Sequence, residues 1–238
     1  MTKEFHTPVA IVTGGSGYLG SAIVRRLVEH NWEVIVLSRN PLLVQGVTAI
    51  PCDLTNEQSI QNALKKILSS HDSIDALIHA AAAPLERTSI DAVSPESRET
   101  TIAIAVTGFS FLAHAIIPYL NANASIVGIT TQLLDTSSAT DRTGAYIPAK
   151  QTLRELLKDL SVELQSENIR VYAVAPGFLP GGLNNDLPKA AQAFFAKESG
   201  VADPTNAVAG IIEDICVHPL LFPSGVSVSS PTRNTKAF

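Results

Sequence analysis

Short runs of apolar, β-branched residues alternate along this chain with longer stretches whose apolar positions recur at helical spacing. That alternation is the pattern of βαβ units around a parallel sheet. Strands are predicted at "PVAIVTG" (8–14), "WEVIVLS" (32–38), "VTAIPCD" (47–53), "DALIHAAAA" (75–83), "ASIVGITT" (124–131), "IRVYAVAPG" (169–177) and "GVSVSS" (225–230). After the first strand, Ile23, Val24, Leu27 and Val28 fall on one helical face, with Arg25, Arg26 and Glu29 turned away from it. The helix predicted over 55–70 opens with Thr55 and Gln58 in capping-box spacing and carries Ile60, Leu64, Ile67 and Leu68 as its stripe. Further helices are predicted over 100–120, 149–167 and 204–218. The stretch from Phe178 to about Gly200 is less regular, and the residues after Ser229 read as a polar tail. The expected fold is α/β: one Rossmann-type, doubly wound parallel sheet with helices on both faces, in a single domain over 1–238.

Composition narrows the function. The chain has 238 residues, 45% of them hydrophobic, and a formal net charge of −5. A negative balance without a basic run argues against nucleic-acid binding, which needs clustered Lys and Arg. Cys52 and Cys216 form neither a disulfide framework nor a zinc spacing. The opening "MTKEFHTPVAIVTGG" carries Glu4 and reaches a turn too soon for a leader's apolar core. No apolar run is expected to be long enough to span a bilayer, so the expected location is the cytoplasm.

The densest signal is "IVTGGSGYLG". Gly14, Gly15, Gly17 and Gly20 lie where a strand becomes a helix, a place at which backbone N–H groups can hold a pyrophosphate. The end of the second strand is then expected to reach the adenosine ribose. Its sequence there is Ser38, Arg39 and Asn40, with no acid. A carboxylate would repel a 2′-phosphate and a guanidinium can clamp one, so NADP(H) is predicted over NAD(H).

From "TGGSGYLG" through "CDL", "IHAAAA", "YIPAK" and "VAPG", nearly the whole chain resembles the short-chain dehydrogenase/reductase family. The glycine spacing and "HAAA" (79–82) are closer to the extended branch of that family. Length and motif order resemble the short, single-domain branch, which makes this an atypical member. The resemblance implies that Ser16, Gly17, Tyr18 and Leu19 meet the pyrophosphate, that Asp53 and Leu54 border adenine, that Ala80, Ala81 and Ala82 lie along the ribose, and that Pro176, Gly177 and Phe178 lie near nicotinamide. It also implies a small carbonyl or alcohol substrate and a homodimer or homotetramer built on the helices flanking the fifth strand.

In "YIPAK", Tyr146 and Lys150 share one face of a helix start. A free phenol has a pKa of about 10, and a nearby ammonium is expected to lower it toward use as a general acid and base. The family's substrate-holding hydroxyl maps to Thr131 at the end of the fifth strand, with Thr130 beside it, although Leu133 occupies the commoner spacing from the tyrosine. Two positions depart from the family. Ala105 stands where an asparagine usually anchors a relay water, and Gly181 stands near the place of a threonine that touches nicotinamide. A non-redox dehydratase- or epimerase-like enzyme and a nucleotide sensor without turnover therefore stay open beside the reductase. Among other residues, His79 is expected to be a strand-end histidine satisfied by backbone. Asp135, Asp141 and Arg142 are expected to be solvated loop charges, and Leu133, Leu134, Phe178, Leu179, Phe194 and Phe195 to close over the nicotinamide end.

Overall fold

The apolar runs become the strands β1 (Val9–Thr13), β2 (Glu33–Ser38), β3 (Val47–Pro51), β4 (Ile74–His79), β5 (Leu120–Ile129), β6 (Arg170–Pro176) and β7 (Val226–Ser230). These seven run parallel in the order β3-β2-β1-β4-β5-β6-β7. The expected tail contributes β8 (Thr235–Ala237), paired antiparallel at the edge of β7. The computed structural model describes residues 6–40, 45–136, 142–230 and 235–237. Glu4 and Asp141, both weighed above, lie outside the described residues.

Helices cover both faces. They are α1 (Tyr18–Glu29), α2 (Glu57–Leu68), α3 (Pro95–Ile102), α4 (Gly108–Ile116), the short α5 (Leu133–Thr136), α6 (Tyr146–Glu163), α7 (Lys189–Ser199) and α8 (Pro204–Val217). Alternate strand residues divide between the two faces, as the period of two requires. Ile11, Ile35, Leu77 and Ile126 pack with α2, α4 and α6, whereas Val12, Val36, Ile78 and Val127 pack with α1 and α8. Helix α7 occupies the stretch expected to be irregular. Helix α2 is capped one residue later than predicted: Asn56 Oδ1 accepts from Ser59 N at 2.9 Å, because Thr55 is drawn off by Asp53 at 2.7 Å.

The run from Pro95 to Tyr119 corrects one expectation. At 25 residues and a mean hydropathy of 1.8, it is long and apolar enough by length and composition to cross a membrane. Here it lies on the sheet, with Phe109, Leu112, Ala113 and Ile116 in the core. A π-helical turn over Ala103–Thr107 separates α3 from α4 and buries Ala105.

Arg26 also departs from its predicted outward position, because α8 packs there. Its Nη1 reaches Glu213 Oε2 at 2.5 Å and its Nε donates to Asn206 Oδ1 at 3.0 Å, while His30 Nε2 lies 3.1 Å from Glu213 Oε1. Glu213 is nearly buried, so removing it strands Arg26 in a half-buried place. Glu213→Ala is expected to cost about 1–3 kcal/mol, less than a fully buried pair would because Arg26 keeps some solvent. Urea unfolding checks this, and an unchanged midpoint would mean that the pair contributes nothing.

Candidate active site

The strand order turns at β1 and β4, from which the chain departs in opposite directions along the sheet. Such a reversal opens a crevice beyond the carboxyl ends of the strands. Two features hold the two strand ends together. Thr13 Oγ1 and His79 Nδ1 are 2.8 Å apart, and Gly14 passes so close to β4's exit that a Cβ on it would lie 2.7 Å from the backbone of Ala81. Gly14 also has φ +67, a conformation that favours glycine. Gly20 presses directly on the backbone of Gly14, which brings the start of α1 against the turn. Gly15 serves packing instead, lying against Val24 and Val36.

The crevice is a cleft of about 990 Å³. Every residue singled out above as a site residue lines it: Gly14, Ser16, Gly17, Tyr18 and Leu19; Ser38, Arg39 and Asn40; Asp53 and Leu54; Ala80, Ala81 and Ala82; Thr131, Tyr146 and Lys150; Pro176, Gly177 and Phe178. Helix α1 opens onto it with Gly17 at the N-cap and no acid in its first turn, an electrostatic setting that favours an anion. At the far end of the glycine turn, Ser38 Oγ is buried without a hydrogen-bond partner. Arg39 and Asn40 are exposed beside it, and among the described residues no carboxylate is paired with Arg39. A glycine cradle, an acid-free helix start and an orphaned hydroxyl next to a guanidinium fit a phosphorylated dinucleotide.

Tyr146 begins α6, and Lys150 follows one turn later on the same face. Burial pushes the Tyr146 phenol above its usual range, and a hydrogen bond with the side chain of Thr131 pulls it partly back. Lys150 does not do the pulling. Its Nζ, 3% exposed as a residue, donates to Ile129 O at 2.5 Å and lies 5.8 Å from the centre of the Tyr146 ring. Burial lowers Lys150 to about 8. The expected depression of Tyr146 by a neighbouring ammonium is thus absent: Lys150 is turned to Ile129 O, and burial raises the phenol.

Thr131, rather than Leu133, meets Tyr146. Thr130 is occupied elsewhere, its hydroxyl donating to Val174 O at 3.2 Å, and Leu133 starts α5. His79 Nδ1 pairs with the Thr13 hydroxyl, a side-chain partner that was not expected, and the ring also meets the backbone of Ile104. It stacks on Phe109 at 4.7 Å between ring centres, and burial, then the charge of Lys150, push it down to about 3. A histidine held neutral in this way does not act as a base at neutral pH.

Sequence reasoning missed several lining residues. Gln132 Nε2 donates to Ser230 O at 2.6 Å, tying the end of β5 to that of β7. Arg87, Leu183, Asn184 and Leu187 also line the cleft, and no local pattern marks them. Leu133, Phe178, Leu179 and Phe195 line it as expected, whereas Leu134 and Phe194 do not. Arg142 also lines it, and Asp135 instead lies within ion-pair distance of Arg154 and Lys236.

A sequence model described as enoyl-(acyl carrier protein) reductase matches residues 16–215 of this chain. The chain belongs to the short-chain dehydrogenase/reductase family. Within that family it is 29% identical over 241 residues to the mouse (Mus musculus) protein named dehydrogenase/reductase SDR family member 4, covering 92% of this chain and 84% of the relative. Two solved structures share the fold at a TM-score of 0.80. One is a 3-ketoacyl-(acyl-carrier-protein) reductase from Brucella melitensis complexed with NADH, 18% identical, covering 94% of this chain and 96% of that one. The other is the Pseudomonas aeruginosa RhlG/NADP active-site complex, 20% identical, covering 94% of both chains. The two neighbours carry different nucleotides, so the fold alone does not choose between them.

Thr131→Val removes the hydroxyl and keeps the shape. The Tyr146 phenol is then expected to titrate higher than in the wild type. Ultraviolet difference titration reads this, with Tyr146→Phe identifying the band, and an unmoved band would remove Thr131 from the site.

Proposed function

We propose that this chain is an NADP(H)-dependent oxidoreductase that interconverts a small carbonyl compound and its alcohol. The observation that carries the proposal is the meeting of the Thr131 and Tyr146 hydroxyls at one end of a cleft whose other end presents Ser38 and Arg39. Ala80–Ala82, Pro176–Phe178 and Tyr146 would hold the nicotinamide end of the cofactor, which would supply or receive the hydride. Thr131 holds the substrate oxygen and Tyr146 exchanges the proton with it. Lys150 lies behind Tyr146 and orients the ribose beside Ala80–Ala82. Tyr146 is protonated at neutral pH, the state that can give a proton to a carbonyl oxygen, and the Thr131 hydrogen bond, which lowers the phenol, eases that transfer. Arg39 and Ser38 receive the 2′-phosphate. The exposed apolar residues Ile102, at the end of α3, and Val162, in α6, support a homodimer or homotetramer through the helices that precede and follow β5.

A sensor without turnover is the second reading, favoured by the buried Ala105, whose side chain offers no hydrogen bond near the site. Ketone-dependent oxidation of NADPH by the purified protein tests both readings. Tyr146→Phe is expected to bind NADPH about as tightly as the wild type and to lose turnover by at least about a hundredfold, the scale of a lost general acid. Turnover that survives in Tyr146→Phe would refute its role, and binding without turnover on a broad ketone panel would favour the sensor.

Arg39→Ala is expected to weaken NADPH by about 10- to 100-fold, the scale of a charge-assisted hydrogen bond, and NADH much less. Equal losses would remove the phosphate clamp. The pH dependence has a definite sign. Lys150, lowered to about 8, is charged below that pH and neutral above it. Carbonyl reduction is therefore expected to fall as pH rises through about 8, and a rate flat across that range would contradict the role of the ammonium.

A further inference from the structure

Residues 178–187 cross the cleft as a strap fastened in two different ways. On one side Arg87, beyond the end of β4, donates from Nε to Asp186 Oδ2 at 2.9 Å and from Nη2 to Leu183 O at 3.1 Å and Asn184 Oδ1 at 2.8 Å. Asn184 in turn donates to Leu179 O at 2.8 Å, which stiffens the strap internally. On the other side the strap meets Tyr18, the first residue of α1. A Cβ built on Gly181 would lie 2.5–2.8 Å from three carbons of the Tyr18 ring, and one on Gly182 would lie 3.0 Å from the Tyr18 Cβ. Gly181 itself is extended, at φ −165. The ring, and not backbone strain, is what excludes a side chain there.

The two fastenings differ in kind. The Arg87 side is a charge-assisted, three-acceptor contact that crosses 96 to 99 residues of sequence. The Tyr18 side is an aromatic face on bare backbone, held by dispersion and desolvation. The first is anchored at several polar points, as a hinge is; the second is a packing contact that can part without breaking a hydrogen bond, as a latch does. Tyr18 belongs to the same turn whose N–H groups open onto the cleft, so the latch closes directly over the start of α1.

We propose that Tyr18, seated on Gly181–Gly182, roofs the central phosphates of the bound dinucleotide, and that nucleotide enters and leaves when this latch parts while Arg87 keeps its hold. The proposal rests on the dinucleotide reading above. It assigns the strap's Gly181–Gly182 end to the cofactor and leaves the apolar Phe178, Leu183 and Leu187 to the substrate.

NADPH release followed by nicotinamide fluorescence, with excess NADP⁺ as the chase, tests it. Tyr18→Ala is expected to release NADPH at least about tenfold faster, and Tyr18→Phe, which keeps the ring, to rescue slow release. Gly181→Ala is expected to speed release as well, because its methyl displaces the ring. The double variant Tyr18→Ala/Gly181→Ala is expected to match Tyr18→Ala alone, since the atoms a Cβ at Gly181 meets most closely all belong to the Tyr18 ring. That non-additivity is what a latch predicts and a general loosening of the loop does not. Unchanged release in Tyr18→Ala, or fully additive effects in the double variant, would overturn the proposal. Should Tyr18→Ala fail to fold, Gly181→Ala against the wild type still decides, and unchanged release there overturns the latch. Wild-type protein that binds neither NADPH nor NADH would overturn the dinucleotide reading itself, whereas normal binding with latch-independent release overturns only the latch.

Discussion

The contact between the ends of β1 and β4 governs the rest of this molecule. Thr13 and His79 join the two strand ends through one buried hydrogen bond, and bare Gly14 lets the exits pass at backbone distance. The strand order reverses at that contact, so the first two βα units lie on one side of it and the later ones on the other. A cleft must open there. The glycine turn forms its floor, and the ends of β2, β3, β5 and β6 bring their own residues to its rim. A residue that faces this cleft does so because its strand ends there, which is why Ser38, Asp53, Thr131 and Pro176 share one site despite their separation in sequence.

Inside the cleft, burial decides the protonation states. The pairing of a phenol with an ammonium one helical turn away suggested a lowered tyrosine. A lowered phenol needs the ammonium close to it and a fairly polar medium. Instead Lys150 is turned to Ile129 O, and both groups are desolvated. The phenol rises, the ammonium falls to about 8 and the imidazole behind them falls to about 3, each toward its neutral form. A neutral, hydrogen-bonded hydroxyl pair is well suited to giving a proton to a carbonyl oxygen as charge develops on it.

Much of this was legible in the sequence, and the exceptions share a cause. Periods of two and 3.6 located the seven parallel strands and most of the helices, because each is a local pattern of burial. Thr131 could be found from the end of its strand even though its spacing to Tyr146 was unusual. The features that escaped are long-range or competitive. The Arg87 fastening of the strap and the Arg26–Glu213 pair join residues 99 and 187 positions apart, and no local signal announces either. The α2 cap moved because Asp53 outcompetes the helix for Thr55. The π-helical turn at Ala103–Thr107 leaves the apolar pattern almost unchanged, and β8 is too short and polar to stand out from a tail.

The cleft is proposed to hold a phosphorylated dinucleotide with its adenosine end at Arg39 and its reacting end at Tyr146. Calorimetric titration of the wild-type protein with NADPH and with NADH tests it most directly. The account predicts one site, with NADPH bound at least about tenfold more tightly, the difference expected of a single charge-assisted contact. Equal affinity for the two nucleotides would contradict the phosphate clamp, and no binding of either would contradict the account of the cleft as a whole.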